Sequence, residues 1–113
     1  RLGGAWRQAG VLAAAGLVAL RTMVERLAED HVRARRLAEA VAERWPAAGC
    51  DPDRVHTNVV TWRHPDPPAV LEHLRARGVA GGTIAPGVLR LVTHHDVDDD
   101  GVARARAALA DAP

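Results

Sequence analysis

The residue types able to do chemistry gather near the two ends of the chain. Toward the C-terminal end runs Gly87-Val88-Leu89-Arg90-Leu91-Val92-Thr93-His94-His95-Asp96. As a strand, it places Val88, Arg90 and Val92 on one face and Leu89, Leu91 and Thr93 on the other. If both faces are covered, the Arg90 guanidinium sits among aliphatic side chains and needs an anionic partner. No acid occurs from Thr83 to Thr93, so that partner must come from elsewhere in the fold or from a ligand. On an edge strand the same arginine would point into water; the pattern leaves both arrangements open. His94, His95 and Asp96 are metal-ligating types, yet adjacent strand residues point to opposite faces and do not readily share one ion. Asp96 to Gly101 begins like a calcium loop, but Ala107 stands where the bidentate glutamate belongs, and the acids read instead as a helix start. No metal site is expected. Near the other end, Gly3-Gly4 lead into a helix and Arg7 follows at once. Free amides at a helix start beside a guanidinium suit a phosphate.

Composition narrows the chemistry further. All fifteen basic residues among the 113 are arginine, so no side chain offers an amine for a Schiff base. The net charge is +1, with acids and bases interspersed; no nucleic-acid footprint is present. The single cysteine, Cys50, excludes an internal disulfide and a multi-cysteine zinc site, and a free thiol suits a reducing cytoplasm. The apolar run from Ala9 to Leu20 is shorter than the ~20 residues that cross a bilayer, so no membrane partner is expected. The chain does not begin with Met, which points to a piece of a larger protein. Its hydrophobic fraction of 48% includes no Phe or Tyr, so Leu, Val, Ala and Trp must build the core.

These residues need elements to position them. Arg7 to Leu20 reads as a helix, apolar on every side after Gln8 and therefore expected to be buried all round, under other parts of a larger protein or a neighbouring subunit. Thr22 to Glu25 has the form of a capping box and is expected to open a second, long helix. Its stripe runs through Val24, Leu27, Ala28, His31, Ala34, Leu37, Ala38, Val41 and Trp45 until Pro46 ends it. His31 is read as a structural histidine, and Arg33, Arg35 and Arg36 as a solvated face. Val55 to Arg63 alternates as a strand carrying Asn58, whose amide suits a ladder-edge hydrogen bond. Asp66 caps a helix with Pro67 at its first position and Gly78 at its stop. Gly81 to Ala85, the Pro86-Gly87 turn and Val88 to Thr93 form a hairpin. Asp98 to Asp100 begin a last helix, with Val102 and Leu109 facing inward. The fold class is α+β: a short, mostly antiparallel sheet packed with helices.

Two stretches carry a family resemblance. Leu2 to Gly10, with Gly3-Gly4-Ala5-Trp6-Arg7-Gln8, resembles the Gly-Gly-Gly-Met-Arg-Gln segment of low-specificity L-threonine aldolases. Arg90 to Val97 resembles their C-terminal Arg-x-Val-Thr-His-x-Asp-Val strand. Glu29-Asp30-His31 and Thr57-Asn58-Val59 fall between them in the family's order. The family lies in the β-eliminating-lyase/threonine-aldolase superfamily of pyridoxal-phosphate enzymes with the aspartate-aminotransferase (PLP-dependent transferase-like) fold.

The resemblance implies that the chain is the C-terminal part of such an enzyme. Residues 1–21 would end the large cofactor-binding domain, and residues 22–113 would form the C-terminal small domain. It implies that Arg90 binds the α-carboxylate of an amino-acid substrate, and that Arg7 helps hold the phosphate of pyridoxal 5'-phosphate in a neighbouring subunit's site. The parent would be a cytoplasmic homo-oligomer, a dimer or tetramer, cleaving L-threonine or L-allo-threonine to glycine and acetaldehyde. The alternatives are another pyridoxal-phosphate-dependent β-eliminating lyase and a non-enzymatic α+β ligand-binding domain. The Schiff-base lysine would lie upstream of Arg1, leaving no catalytic residue here and an inactive isolated chain. Mixed with pyridoxal phosphate, the isolated chain should develop no stable visible imine absorbance; a spectrophotometric titration checks this.

Overall fold

The computed structural model describes residues 4–113, so Arg1, Leu2 and Gly3, the first glycine of the Gly3-Gly4 pair among them, lie outside the described residues. The elements are α1 (Ala9–Thr22), α2 (Leu27–Arg44), a 3-10 turn (Pro52–Arg54), β1 (Val59–Arg63), α3 (Pro67–Ala76), β2 (Gly82–Ala85), β3 (Val88–Val92) and α4 (Asp99–Ala110). The class is α+β, as the pattern predicts.

Local chemistry sets most boundaries. The Asp66 carboxylate accepts from the Ala69 amide at 3.2 Å and opens α3 with Pro67 behind it. Gly78, at φ +74°, stops α3, and the Val79 amide donates to the Leu74 carbonyl at 3.0 Å. Asp98 caps α4 by accepting from the Gly101 amide at 2.8 Å. Gly87, at φ +72°, makes the β2–β3 turn that an L side chain would strain.

The three strands form one antiparallel sheet in the order β1-β3-β2. On one face Val60, Trp62, Leu89 and Leu91 are buried. Helices cover that face with Ala34, Leu37, Ala38 and Val41 from α2, Val70 and Leu74 from α3, and Val102, Ala105 and Leu109 from α4. Alanines at the α2 seam allow a close approach of backbones. The aromatic mass missing from the composition is supplied by Trp45 stacked on Trp62, with ring centroids 6.0 Å apart.

Thr93, fully buried just past β3, ties three segments together. Its amide donates to the Asn58 carbonyl at 2.9 Å. Its own carbonyl accepts from the Asn58 side-chain amide at 2.7 Å. Its hydroxyl donates to the Asp30 carbonyl on α2 at 2.7 Å. The hydrogen-bonding role expected of Asn58 is therefore what the fold uses. Asp30 is itself buried, and Arg26 grips its carboxylate with two hydrogen bonds of 2.7 and 3.0 Å.

Several expectations are corrected. Thr22 does not open a helix; it closes α1, and its hydroxyl donates back to the Val18 carbonyl at 2.8 Å. That i−4 bond competes with capping, and α2 starts only at Leu27, without a side-chain cap. The α2 stripe does not run through Val24, Leu27 and His31, which are exposed. It begins at Asp30, which continues through Ala34, Leu37 and Ala38 to Val41 at helical spacing. His31 is thus a surface residue rather than a core one. Residues 55–58 are not strand; β1 starts at Val59, after the 3-10 turn. Arg33, Arg35 and Arg36 do more than face water. Arg33 and Arg36 both meet Asp99 at the start of α4, at 3.4 and 2.8 Å, and Arg35 pairs with Asp53. The cover expected for α1 is not supplied by the described residues: none of its residues is buried, and Val11, Leu12, Leu17, Val18 and Leu20 are exposed.

Thr93→Val keeps the shape but leaves the Asp30 carbonyl without its buried donor, and should cost about 1–3 kcal/mol of unfolding free energy by denaturant titration. A second expectation concerns pH. The Arg26 hydrogen bonds hold the Asp30 carboxyl below its usual value of 3.8. The unfolded chain therefore binds a proton at Asp30 more readily than the folded one, and acidification favours unfolding. The pair's stabilisation should be complete above about pH 4 and lost as pH falls through the lower, folded value. Thermal melts of the chain and of Asp30→Asn across that range should converge toward low pH.

Candidate functional site

Arg90 lies at the centre of β3, the central strand of the sheet. Leu89 and Leu91 are buried against the helices and Thr93 is pinned at the strand end. Because side chains alternate, this register forces Arg90 to the other face. No helix covers that face among the described residues: Val59, Val92 and Ile84 are 37%, 38% and 53% exposed. Arg90 is accordingly exposed, in neither of the two settings the sequence left open. It is not enclosed among aliphatic side chains, and it is not on an edge strand. Its cross-strand partners are Thr61 on β1 and Gly82 on β2. No carboxylate or carbonyl among the described residues meets its guanidinium, so Arg90, which shares this face with the exposed Arg63 at the end of β1, is available to an anion.

Arg7 lies in the turn before α1 and is exposed. The N-terminus of α1 has no side-chain cap and no acid in its first turn. That leaves the positive end of the helix and the adjacent guanidinium without an internal anion, a donor set that fits a phosphate. Arg7 and Arg90 stand on different elements, and nothing within the described chain links them.

The remaining titratable groups are structural or solvent-facing. The His94 Nδ1 accepts from the Asp96 amide at 3.3 Å, closing a turn, and both His94 and His95 are exposed. No group of three metal-ligating side chains occurs among the described residues. Burial pushes the Cys50 thiol above its usual value, and it lies 3.8 Å from the Ala38 carbonyl; it is poorly suited to act as a nucleophile at neutral pH. A groove of about 450 Å³ beside β1 is lined by Cys50, Asp51, His56 and Thr57 and reaches Thr61, next to Arg90. Reasoning from sequence missed the buried Arg26–Asp30 pair, although its i,i+4 spacing was a signal for it.

A family model described as beta-eliminating lyase matches residues 1–64, more than half of the chain. The chain belongs to the β-eliminating lyase family. Two low specificity L-threonine aldolases, from Escherichia coli K12 and Escherichia coli O157:H7, are each 41% identical to it over 107 residues, 93% of this chain and 30% of theirs. A probable low-specificity L-threonine aldolase 2 from Arabidopsis thaliana is 36% identical over 103 residues, 87% of this chain and 29% of its own. This member of the β-eliminating lyase family therefore spans about 30% of the length of the curated relatives it matches. The family match takes in Arg7, and the 93% aligned with the bacterial relatives leaves too few residues outside to exclude Arg90. No described helix is long and apolar enough to cross a membrane.

Proposed function

We propose that the chain is the C-terminal part of a pyridoxal-phosphate-dependent L-threonine aldolase that cleaves L-threonine or L-allo-threonine to glycine and acetaldehyde. The observation that carries this reading is the 41% identity to proteins named low specificity L-threonine aldolase across 93% of the chain. The unpartnered Arg90 on an open sheet face supports it. In this reading residues 1–21 end the large domain and residues 22–113 are the small domain. The fold of the whole is of the aspartate-aminotransferase type, and the enzyme is cytoplasmic.

Arg90 binds the substrate α-carboxylate with two parallel hydrogen bonds, and so fixes the direction of the breaking Cα–Cβ bond. Leu89, Leu91 and Thr93 anchor its strand on the opposite face, and so set the position from which the guanidinium is presented. Arg7 and the uncapped start of α1 hold the cofactor phosphate. Pyridoxal phosphate, when bound, supplies the electron sink for the carbanion left by bond cleavage. The exposed apolar surface of α1 supports a homo-oligomer, dimer or tetramer, in which other parts of the enzyme cover it. β-Elimination on another amino acid is the second reading, favoured by the family match itself, and substrate profiling of the complete enzyme separates the two.

In the complete enzyme, Arg90→Ala should raise KM for L-threonine on the order of tenfold to a hundredfold, corresponding to about 1.5–3 kcal/mol for charge-assisted hydrogen bonds. Arg90→Lys should raise it less, because charge remains and the fork is lost. Steady-state release of acetaldehyde measures both, and unchanged kinetics for Arg90→Ala would remove Arg90 from the site.

A further inference from the structure

The two residues that flank Arg90 across the sheet are Thr61 on one side and Gly82 on the other. Residues paired directly opposite in an antiparallel sheet point to the same face, so both border the Arg90 side chain on the open side. The Thr61 side is close. Hydrogen-bonded pairs occur at Asn58 with Thr93 and at His64 with Gly87, each at 2.9 Å. Alternation from either end makes Thr61 and Arg90 a non-hydrogen-bonded pair, the type with Cα atoms only about 4.5 Å apart and side chains nearest each other. Half-buried Thr61 therefore borders the arginine on the β1 side.

The Gly82 side bears no side chain, and nothing among the described residues requires this. Gly82 is not among the glycines with positive φ. A Cβ added to it would meet nothing within 4 Å. The irregularity in β2 falls between Thr83 and Ala85 rather than at Gly82. Neighbouring Gly81 differs: a Cβ there would come within 3.2 Å of Leu71 and Leu91 on the core face. Gly81 is a packing glycine. Gly82, the first residue of β2, has no such reason, and glycine loses more conformational freedom on folding than any other residue. A strand glycine without a turn, bulge or packing role is often a place where a ligand or another backbone approaches closely.

We propose that Gly82 keeps open the slot through which a carboxylate reaches Arg90, and that Thr61 is the positioning residue that turns the guanidinium toward that slot. The inference rests on the reading of Arg90 as a carboxylate-binding residue, and it deepens that reading by giving the anion a direction of approach. A carboxylate enters over β2, on the Gly82 side of β3, where the paired residue bears no side chain, whereas on the β1 side the Thr61 side chain stands beside the arginine.

The test uses the complete enzyme. Gly82→Val fills the slot and suits a strand better than glycine, so Tm should hold or rise while KM for L-threonine increases on the order of tenfold or more. Gly82→Ala adds one methyl group and should give a smaller rise in the same direction; it decides the question if the valine variant does not fold. Thr61→Ala should also raise KM, and Thr61→Val, which restores the side chain's bulk without the hydroxyl, should bring it back. A folded Gly82→Val enzyme with unchanged KM, beside an Arg90→Ala enzyme whose KM is raised, overturns the slot and leaves the carboxylate reading standing. Unchanged KM in Arg90→Ala overturns both. An equal loss of Tm and of kcat in the Gly82 variants, without a KM effect, would show that Gly82 is merely structural and also overturns the proposal.

Discussion

The fold depends on one buried node. Thr93 has three polar groups to satisfy away from water, and it does so by binding the loop before β1 through Asn58 and the first turn of α2 through the Asp30 carbonyl. An unpaired buried polar group is costly, so these partners cannot drift independently. The consequence is register. With Thr93 held at the end of β3, Leu91 and Leu89 must face the helices and Arg90 must face away. A slip of one residue would bury the guanidinium and expose both leucines. The same turn of α2 carries the Arg26–Asp30 pair, which keeps the buried carboxylate charged and paired beside the node.

The sheet consequently has two unlike faces. One is closed by α2, α3 and α4 over a core of small and branched residues centred on Trp62. The other is uncovered among the described residues and carries Arg90 at the centre of β3 and Arg63 at the end of β1. The apolar side chains of α1 likewise find no cover among the described residues. The long apolar run of α1 looked buried by composition alone; within 113 residues there is too little remaining chain to enclose it and also close the sheet.

Motif order made the family legible before any geometry was known. The Gly-rich start bearing Arg7 and the strand bearing Arg90 sit at opposite ends of the chain, and the relatives agree with that order across most of its length. The local signals that held were those in which a residue satisfies its own neighbours: Asp66, Asp98, Gly78 and Gly87. Signals that depended on a choice between local partners did worse. Thr22 had two bonds open to it, forward to cap a helix or back to a carbonyl, and sequence favoured the wrong one. Asp30 was hidden because a charged residue reads as solvent-facing until its Arg26 partner is seen to cover it.

The sequence by itself determined the α+β class, the hairpin, the caps of α3 and α4 and the family, because each rests on contacts within a few residues or on the linear order of motifs. Only the tertiary structure decided where Arg90 points and what surrounds it. Alternation says that Arg90 opposes Leu89 and Leu91, but not which face the helices cover, nor that β3 is central. Those follow from long-range pairing: β1 brings Thr61 to one side, β2 brings Gly82 to the other, and Thr93 fixes the register of both against α2.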